Sequence, residues 1–245
     1  INTATFGLTV STALTVSANA THNAICAGQS TTLSASGATN YVWEPGALIG
    51  QNQTVTPAAT TTYTVTGDDG NGCTATATLA VTVNNNPVVL ASATQSSVCV
   101  GQSTDLSASG AATYVWEPGT LIGQNQTVTP SLSTTYTVTG TDANGCINTA
   151  TVAVTVNNLP ALTFNPASAA ICAGGSTSVT VSGAATYVWQ PGALSGATQT
   201  LSPANSTTYT VTGTDGNGCI NTATFDVAVA AALNVTATAS QVSVC

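Results

Sequence analysis

Along residues 74–83, TATATLAVTV, apolar and polar side chains alternate. Ala75, Ala77, Leu79, Val81 and Val83 fall on one face, and the other face is mostly threonine. A period of two is the signature of a β-strand with one face buried. TYTVTG (62–67) repeats the pattern, Tyr63 and Val65 facing in, Thr64 and Thr66 facing out. Between the two runs lies a short polar stretch in which Asp69 can bond its own turn backbone. There Asn71-Gly72 supplies residues tolerant of positive φ, the mark of a hairpin connection. Leu33 and Ala35 share a face in TTLSASG, Tyr41 and Trp43 share one in NYVWEPG, and QTVTP stops at Pro57. With a strand before Cys26 and a short piece near Leu48-Ile49, the expectation is about seven strands in each β-sandwich.

The stretch recurs. TYTVTGDDGNGC (62–73) returns as TYTVTGTDANGC (135–146) and TYTVTGTDGNGC (208–219), 73 residues apart each time. Residues 27–73, 100–146 and 173–219 align without a gap, and the first two segments differ at only ten of 47 positions. Such self-similarity marks a tandem array. The expected organisation is 13–85, 86–158 and 159–231 as three repeats. Residues 1–12 would be the last strand of a preceding repeat, and 232–245 the first strand region of a following one. The expected core carries Trp43 and Tyr63, Trp116 and Tyr136, Trp189 and Tyr209, one pair per repeat. The expected turns carry Asp69 and Asn71, Asp142 and Asn144, Asp215 and Asn217.

Composition narrows the function. The chain has 245 residues, no lysine or arginine, a net charge of −8, 43% hydrophobic and 3% charged residues. Nucleic-acid binding draws on Lys and Arg to displace counterions from phosphate, so nucleic acid is excluded as a partner. No apolar run is long enough to span a bilayer, so no membrane insertion is expected of this segment. The single histidine, His22, has Gln95, Ser168 and Gln241 at its repeat positions, and Glu44 and Glu117 become Gln190. No base–nucleophile set is maintained, and the expectation is a protein without enzymatic activity. Each D-x-N-G turn offers one or two carboxylates, short of a calcium shell, so no metal or other cofactor is expected.

The pattern C-x-G-x-S-x-x-L-x-A-S-G, Y-x-W-x-P-G and T-x-T-Y-T-V-T-G-x-D-x-N-G-C resembles the Ig-like, PKD-like repeats of large surface adhesins of gliding Bacteroidota, exported by the type IX pathway. It covers all three repeats. The resemblance implies an all-β fold of tandem small Ig-like sandwiches and a role as an extracellular stalk or filament on the cell surface. Its partners would be neighbouring repeats of the same chain and other copies in a filament. The family's C-terminal sorting domain is absent from these residues, and so are the cation and calcium-ligand clusters of many adhesin repeats. An alternative is that the repeats themselves bind a glycan or surface, with Tyr41 and Trp43 as a stacking platform. An odd number of traversals makes each repeat enter at one end and leave at the other, so an extended rod is expected.

Cysteines fall at Cys26, Cys99, Cys172 and Cys245, and at Cys73, Cys146 and Cys219. Two per repeat without histidine partners point to disulfides rather than zinc. Two pairings stay open. Bridges within repeats would join Cys26–Cys73, Cys99–Cys146 and Cys172–Cys219, with Cys245 paired beyond the segment. Bridges between neighbours would join Cys26–Cys146 and Cys99–Cys219. In an Ig-like strand order five traversals separate the two cysteines of one repeat, which favours opposite ends, while a bridge requires Cα atoms within about 7 Å.

Overall fold

The structure, a computed structural model, describes residues 13–231 together with residues 3, 236 and 237. The flanking strands expected at 1–12 and 232–245, and Cys245, otherwise lie outside the described residues.

The first copy contains β1 (Ser17–Ala20), β2 (Ala24–Cys26), β3 (Thr31–Ser36), β4 (Asn40–Glu44), β5 (Leu48–Ile49), β6 (Asn52–Val55), β7 (Thr61–Asp68) and β8 (Thr74–Asn84). They form two sheets, ordered β1-β3-β6 and β2-β8-β7-β4-β5. All neighbours are antiparallel except β2, which runs parallel to the C-terminal half of β8 with Cys26 opposite Asn84. This is an immunoglobulin-like sandwich, with β4, β7 and β8 as its C, F and G strands. Eight strands occur where about seven were expected. The first crosses from one sheet to the other at residues 21–23, so one expected strand becomes two short ones.

The middle copy repeats the plan in β9 (Leu90–Ala93), β10 (Ser97–Cys99), β11 (Thr104–Ser109), β12 (Thr113–Glu117), β13 (Leu121–Ile122), β14 (Asn125–Val128), β15 (Thr134–Thr141) and β16 (Ile147–Asn157). The third does so in β17 (Thr163–Asn165), β18 (Ala169–Cys172), β19 (Thr177–Ser182), β20 (Thr186–Gln190), β21 (Leu194–Ser195), β22 (Thr198–Leu201), β23 (Thr207–Thr214) and β24 (Ile220–Ala230). Its sheets are ordered β17-β19-β22 and β18-β24-β23-β20-β21. No helix among the described residues is long and apolar enough to cross a membrane.

The chain divides into two compact units, residues 1–92 with 107–126 and 136–151, and residues 93–106 with 127–135 and 152–245. In the first, Leu33, Ala35, Tyr41, Trp43, Val55, Tyr63, Val65 and Val81 close the core of the first copy. In the second, Trp189 packs edge-on against Phe164, Tyr209 and Phe225 in the core of the third. Trp43, Trp116 and Trp189 are each 0% exposed, and Tyr63, Tyr136 and Tyr209 are buried. Full burial of rings this large contributes a few kcal/mol apiece.

Glycine is required where the chain enters each sandwich. At Gly110, with φ +95°, a Cβ would stand 1.8 Å from the carbonyl oxygen of Val88 in the preceding linker. Gly37 meets Thr15 and Gly183 meets Ala161 in the same way. The linker therefore lies directly on the backbone that follows the second strand of the three-stranded sheet.

Candidate functional site: the cysteine-bridged repeat junctions

One cysteine of each copy sits in the hairpin between the two longest strands. In the first copy Asp69 Oδ1 accepts the backbone N–H groups of Asn71 at 2.8 Å and Cys73 at 3.0 Å. Asp142 does the same for Asn144 and Cys146, and Asp215 for Asn217 and Cys219. A carboxylate that accepts backbone donors is favoured in its charged form. The N–H of Asn71, then that of Cys73, accordingly lowers the pKa of Asp69. Positive φ falls on Gly72, Gly145 and Gly218 and not on Asn71, Asn144 or Asn217, so the glycine alone supplies the left-handed residue.

The first hairpin differs from the other two. Asp68 Oδ1 also accepts from Gly70 N at 2.6 Å, and Gly70 takes φ +81°. Thr141 and Thr214 stand at that position in the other copies. There the turn closes instead through Gly145 N to Asp142 O and Gly218 N to Asp215 O.

The other cysteine of each copy ends the parallel strand β2, β10 or β18. The next residue locks it to the exit strand: Ala27 N donates to Asn84 O at 2.8 Å, Val100 N to Asn157 O at 2.9 Å, and Ala173 N to Ala230 O at 3.1 Å. In the first two copies a glutamine folds back, Gln29 Oε1 accepting from Cys26 N and Gln102 Oε1 from Cys99 N, each at 3.1 Å. Gly175 replaces that glutamine in the third copy. This cysteine thus lies where the last strand leaves its sandwich.

Those two positions bridge between successive copies. Within the first unit Cys26 is bonded to Cys146, with Cα atoms 5.5 Å apart; within the second, Cys99 is bonded to Cys219 at 5.6 Å. Both span a sequence separation of 120. Pairing within a copy is ruled out by the length of β8. Cys26 pairs in register with Asn84 at its end, whereas Cys73 precedes Thr74 at its start. Ten steps at about 3.3 Å put the two roughly 33 Å apart, far beyond a disulfide's reach.

Cys73 and Cys172, expected in bridges, have none among the described residues, and both are exposed. Their obligate partners on the between-copy pattern would be cysteines of further repeats. Bridged Cys146 and Cys219 are 0% exposed. A hydrogen bond accompanies each closed junction, from Asn148 Nδ2 to Pro87 O at 3.0 Å and from Asn221 Nδ2 to Pro160 O at 2.9 Å. Neither the glutamine clasp nor this asparagine stands out from the sequence. The only available signal is that both recur on the 73-residue period beside a cysteine.

The remaining candidates are structural. Tyr41 and Trp43 point into the core with their polar atoms satisfied. Tyr41 Oη donates to Ala38 O and accepts from Ala38 N, both at 2.7 Å, and Trp43 Nε1 donates to Gly50 O at 3.1 Å. The middle and third copies keep both arrangements. Glu44 Oε2 accepts from Gly46 N and Ala47 N, capping its own turn. Exposed His22 lies in the 21–23 connection, where buried Thr31 clasps its backbone by accepting from His22 N and donating to His22 O. Thr104 clasps Gln95 identically. Among the described residues no three His, Cys, Asp or Glu side chains gather as a metal site would require.

No family model matches the chain, and no curated protein matches it. Several solved tandem immunoglobulin-type structures are similar. Titin domains I67–I69, in an E-to-A variant, share 12% identity with a TM-score of 0.41, covering 87% of this chain and 98% of that one. A calcium-stabilised adhesin that helps an Antarctic bacterium bind ice shares 16% at 0.38, covering 91% and 75%. Immunoglobulin domains 1–5 of Sidekick-1 share 14% at 0.30; 88% of this chain is covered, which spans 59% of that one. At TM-scores below 0.5 these likenesses add nothing to the strand order described above.

Proposed function

We propose that this chain is a structural segment of a large extracellular bacterial adhesin, a stalk or filament built of repeats 13–85, 86–158 and 159–231. The observation that carries the reading is the pair of disulfides joining each copy to the next rather than stapling each copy internally. A bridge of this kind strengthens continuity along a chain, which a stalk needs and a soluble binding domain does not. Disulfides persist in oxidising, extracellular compartments. The absence of Lys and Arg removes every trypsin-type cleavage site, which suits a chain exposed to proteases.

The resemblance to type IX-exported adhesins of gliding Bacteroidota extends the reading to the surface of such a cell, with gliding motility as the associated behaviour. The partners are neighbouring repeats and other copies of the filament. Burial of the Tyr41–Trp43, Tyr114–Trp116 and Tyr187–Trp189 pairs removes the stacking platform that a glycan-binding reading relied on. The chemistry rests on no cofactor and no catalytic residue.

The test is labelling of intact source cells with an antibody raised against residues 13–231. Label on unpermeabilised cells that survives trypsin is expected. Label seen only after permeabilisation overturns the proposal.

A further inference from the structure

Cys73 and Cys172 are two different half-sites of one joint. Cys172 ends a parallel strand as Cys26 and Cys99 do, and Cys73 sits in the F–G hairpin as Cys146 and Cys219 do. That joint is closed twice within this chain, each time between a strand-end cysteine and the hairpin cysteine of the copy that follows, with Cα separations of 5.5 and 5.6 Å. The two exposed thiols are one of each kind.

We propose that the segment joins a second copy of itself head to tail, through a disulfide from Cys172 of one copy to Cys73 of the next. The inference rests on the bridge pattern and not on the adhesin reading. Cys73–Cys73 and Cys172–Cys172 bonds are disfavoured, because both internal joints pair unlike ends.

The chemistry balances with a small-molecule disulfide as oxidant, such as glutathione disulfide. The Cys172 thiolate attacks one of its sulfurs, forming a mixed disulfide and expelling one glutathione thiolate. The Cys73 thiolate of the second copy then attacks the Cys172 sulfur, forming the inter-copy bond and expelling the second thiolate. Two protein thiols are oxidised and one disulfide is reduced to two thiols.

The open joint is weaker than the internal ones in one respect. Ala75 stands where Asn148 and Asn221 supply the junction hydrogen bond. The sulfur bond therefore carries the association, and reductant should return single chains.

The experiment uses the full 245-residue chain carrying Cys245→Ser, incubated at high concentration with glutathione disulfide and resolved on non-reducing gels with peptide mass spectrometry. The expected result is a ladder of multimers. Adding Cys73→Ser or Cys172→Ser should leave each chain monomeric, and mixing the two variants should give a dimer and nothing larger, linked Cys172 to Cys73. Because both residues are exposed, unchanged thermal melts will show that the variants fold. N-ethylmaleimide treatment of the parent, which leaves internal bridges intact, should also abolish the ladder. Like-to-like dimers in the single variants, statistical scrambling of the three possible pairs, or no multimers at all would each overturn the proposal.

Discussion

The two bridges overlap along the sequence, and that overlap limits how far the unfolded chain can be stretched. Between Cys26 and Cys219 lie 193 residue steps (219 − 26), which at about 3.5 Å each reach roughly 680 Å when reduced. With both bonds closed, the shortest covalent path crosses from Cys26 to Cys146, runs backward over 47 steps to Cys99 (146 − 99), and crosses to Cys219. Its reach is about 165 Å plus two Cα spans of 5.5 and 5.6 Å. Reduction should therefore release about 500 Å of extra contour in single-molecule extension from the chain ends. The decisive arm is Cys73→Ser under oxidising conditions. It should change nothing, because Cys73 takes part in no bridge. Under pairing within copies, the same variant would free the 47 residues from Cys26 to Cys73 and lengthen the chain by about 165 Å. A gain of that size would refute the connectivity.

Other expectations concern the sandwiches themselves. Trp43→Ala empties a site that is 0% exposed and orphans the Gly50 carbonyl, so local opening of the first copy by hydrogen exchange should become easier by about 3–5 kcal/mol. Gly110→Ala forces a Cβ against the Val88 carbonyl and should destabilise the middle copy by about 1–3 kcal/mol in the same assay, with Ala111→Ser near neutral as a control. Asp69 has a lowered folded pKa, so its contribution is complete above the ordinary carboxylate value and is lost as pH falls through the lower folded value. The amide resonances of Asn71 and Cys73 should titrate with a midpoint below that of a free aspartate, and Asp69→Asn should abolish that titration.

Much of the architecture can be read from the chain because local and periodic signals agree. Alternation at Tyr63 and Val65 and the Gly72 turn each make one structural choice, and the 73-residue period repeats it. The split first strand escapes such reading. Residues 24–26 are only three long, and what makes them a strand is parallel pairing with Val83 and its neighbours far along the chain. Disulfide connectivity escapes it for a different reason. Both classes of cysteine recur every 73 residues, so separations of 47 and 120 fit the period equally well. Only the length of β8, which holds Cys26 and Cys73 at opposite ends, decides between them. Assigning positive φ to Asn71 was a turn-chemistry error, since the aspartate clasp leaves that role to the following glycine. The Asn148–Pro87 contact depends on where the linker runs, which no local pattern encodes.

The most direct measurement of the central claim, that each copy is covalently tied to the next, is peptide mapping of the oxidised chain. Free thiols are blocked first, and chymotrypsin then cuts at the aromatic residues between the cysteines. The account predicts Cys26 peptides linked to Cys146 peptides and Cys99 peptides linked to Cys219 peptides. Cys26 linked to Cys73, or Cys99 linked to Cys146, would contradict it.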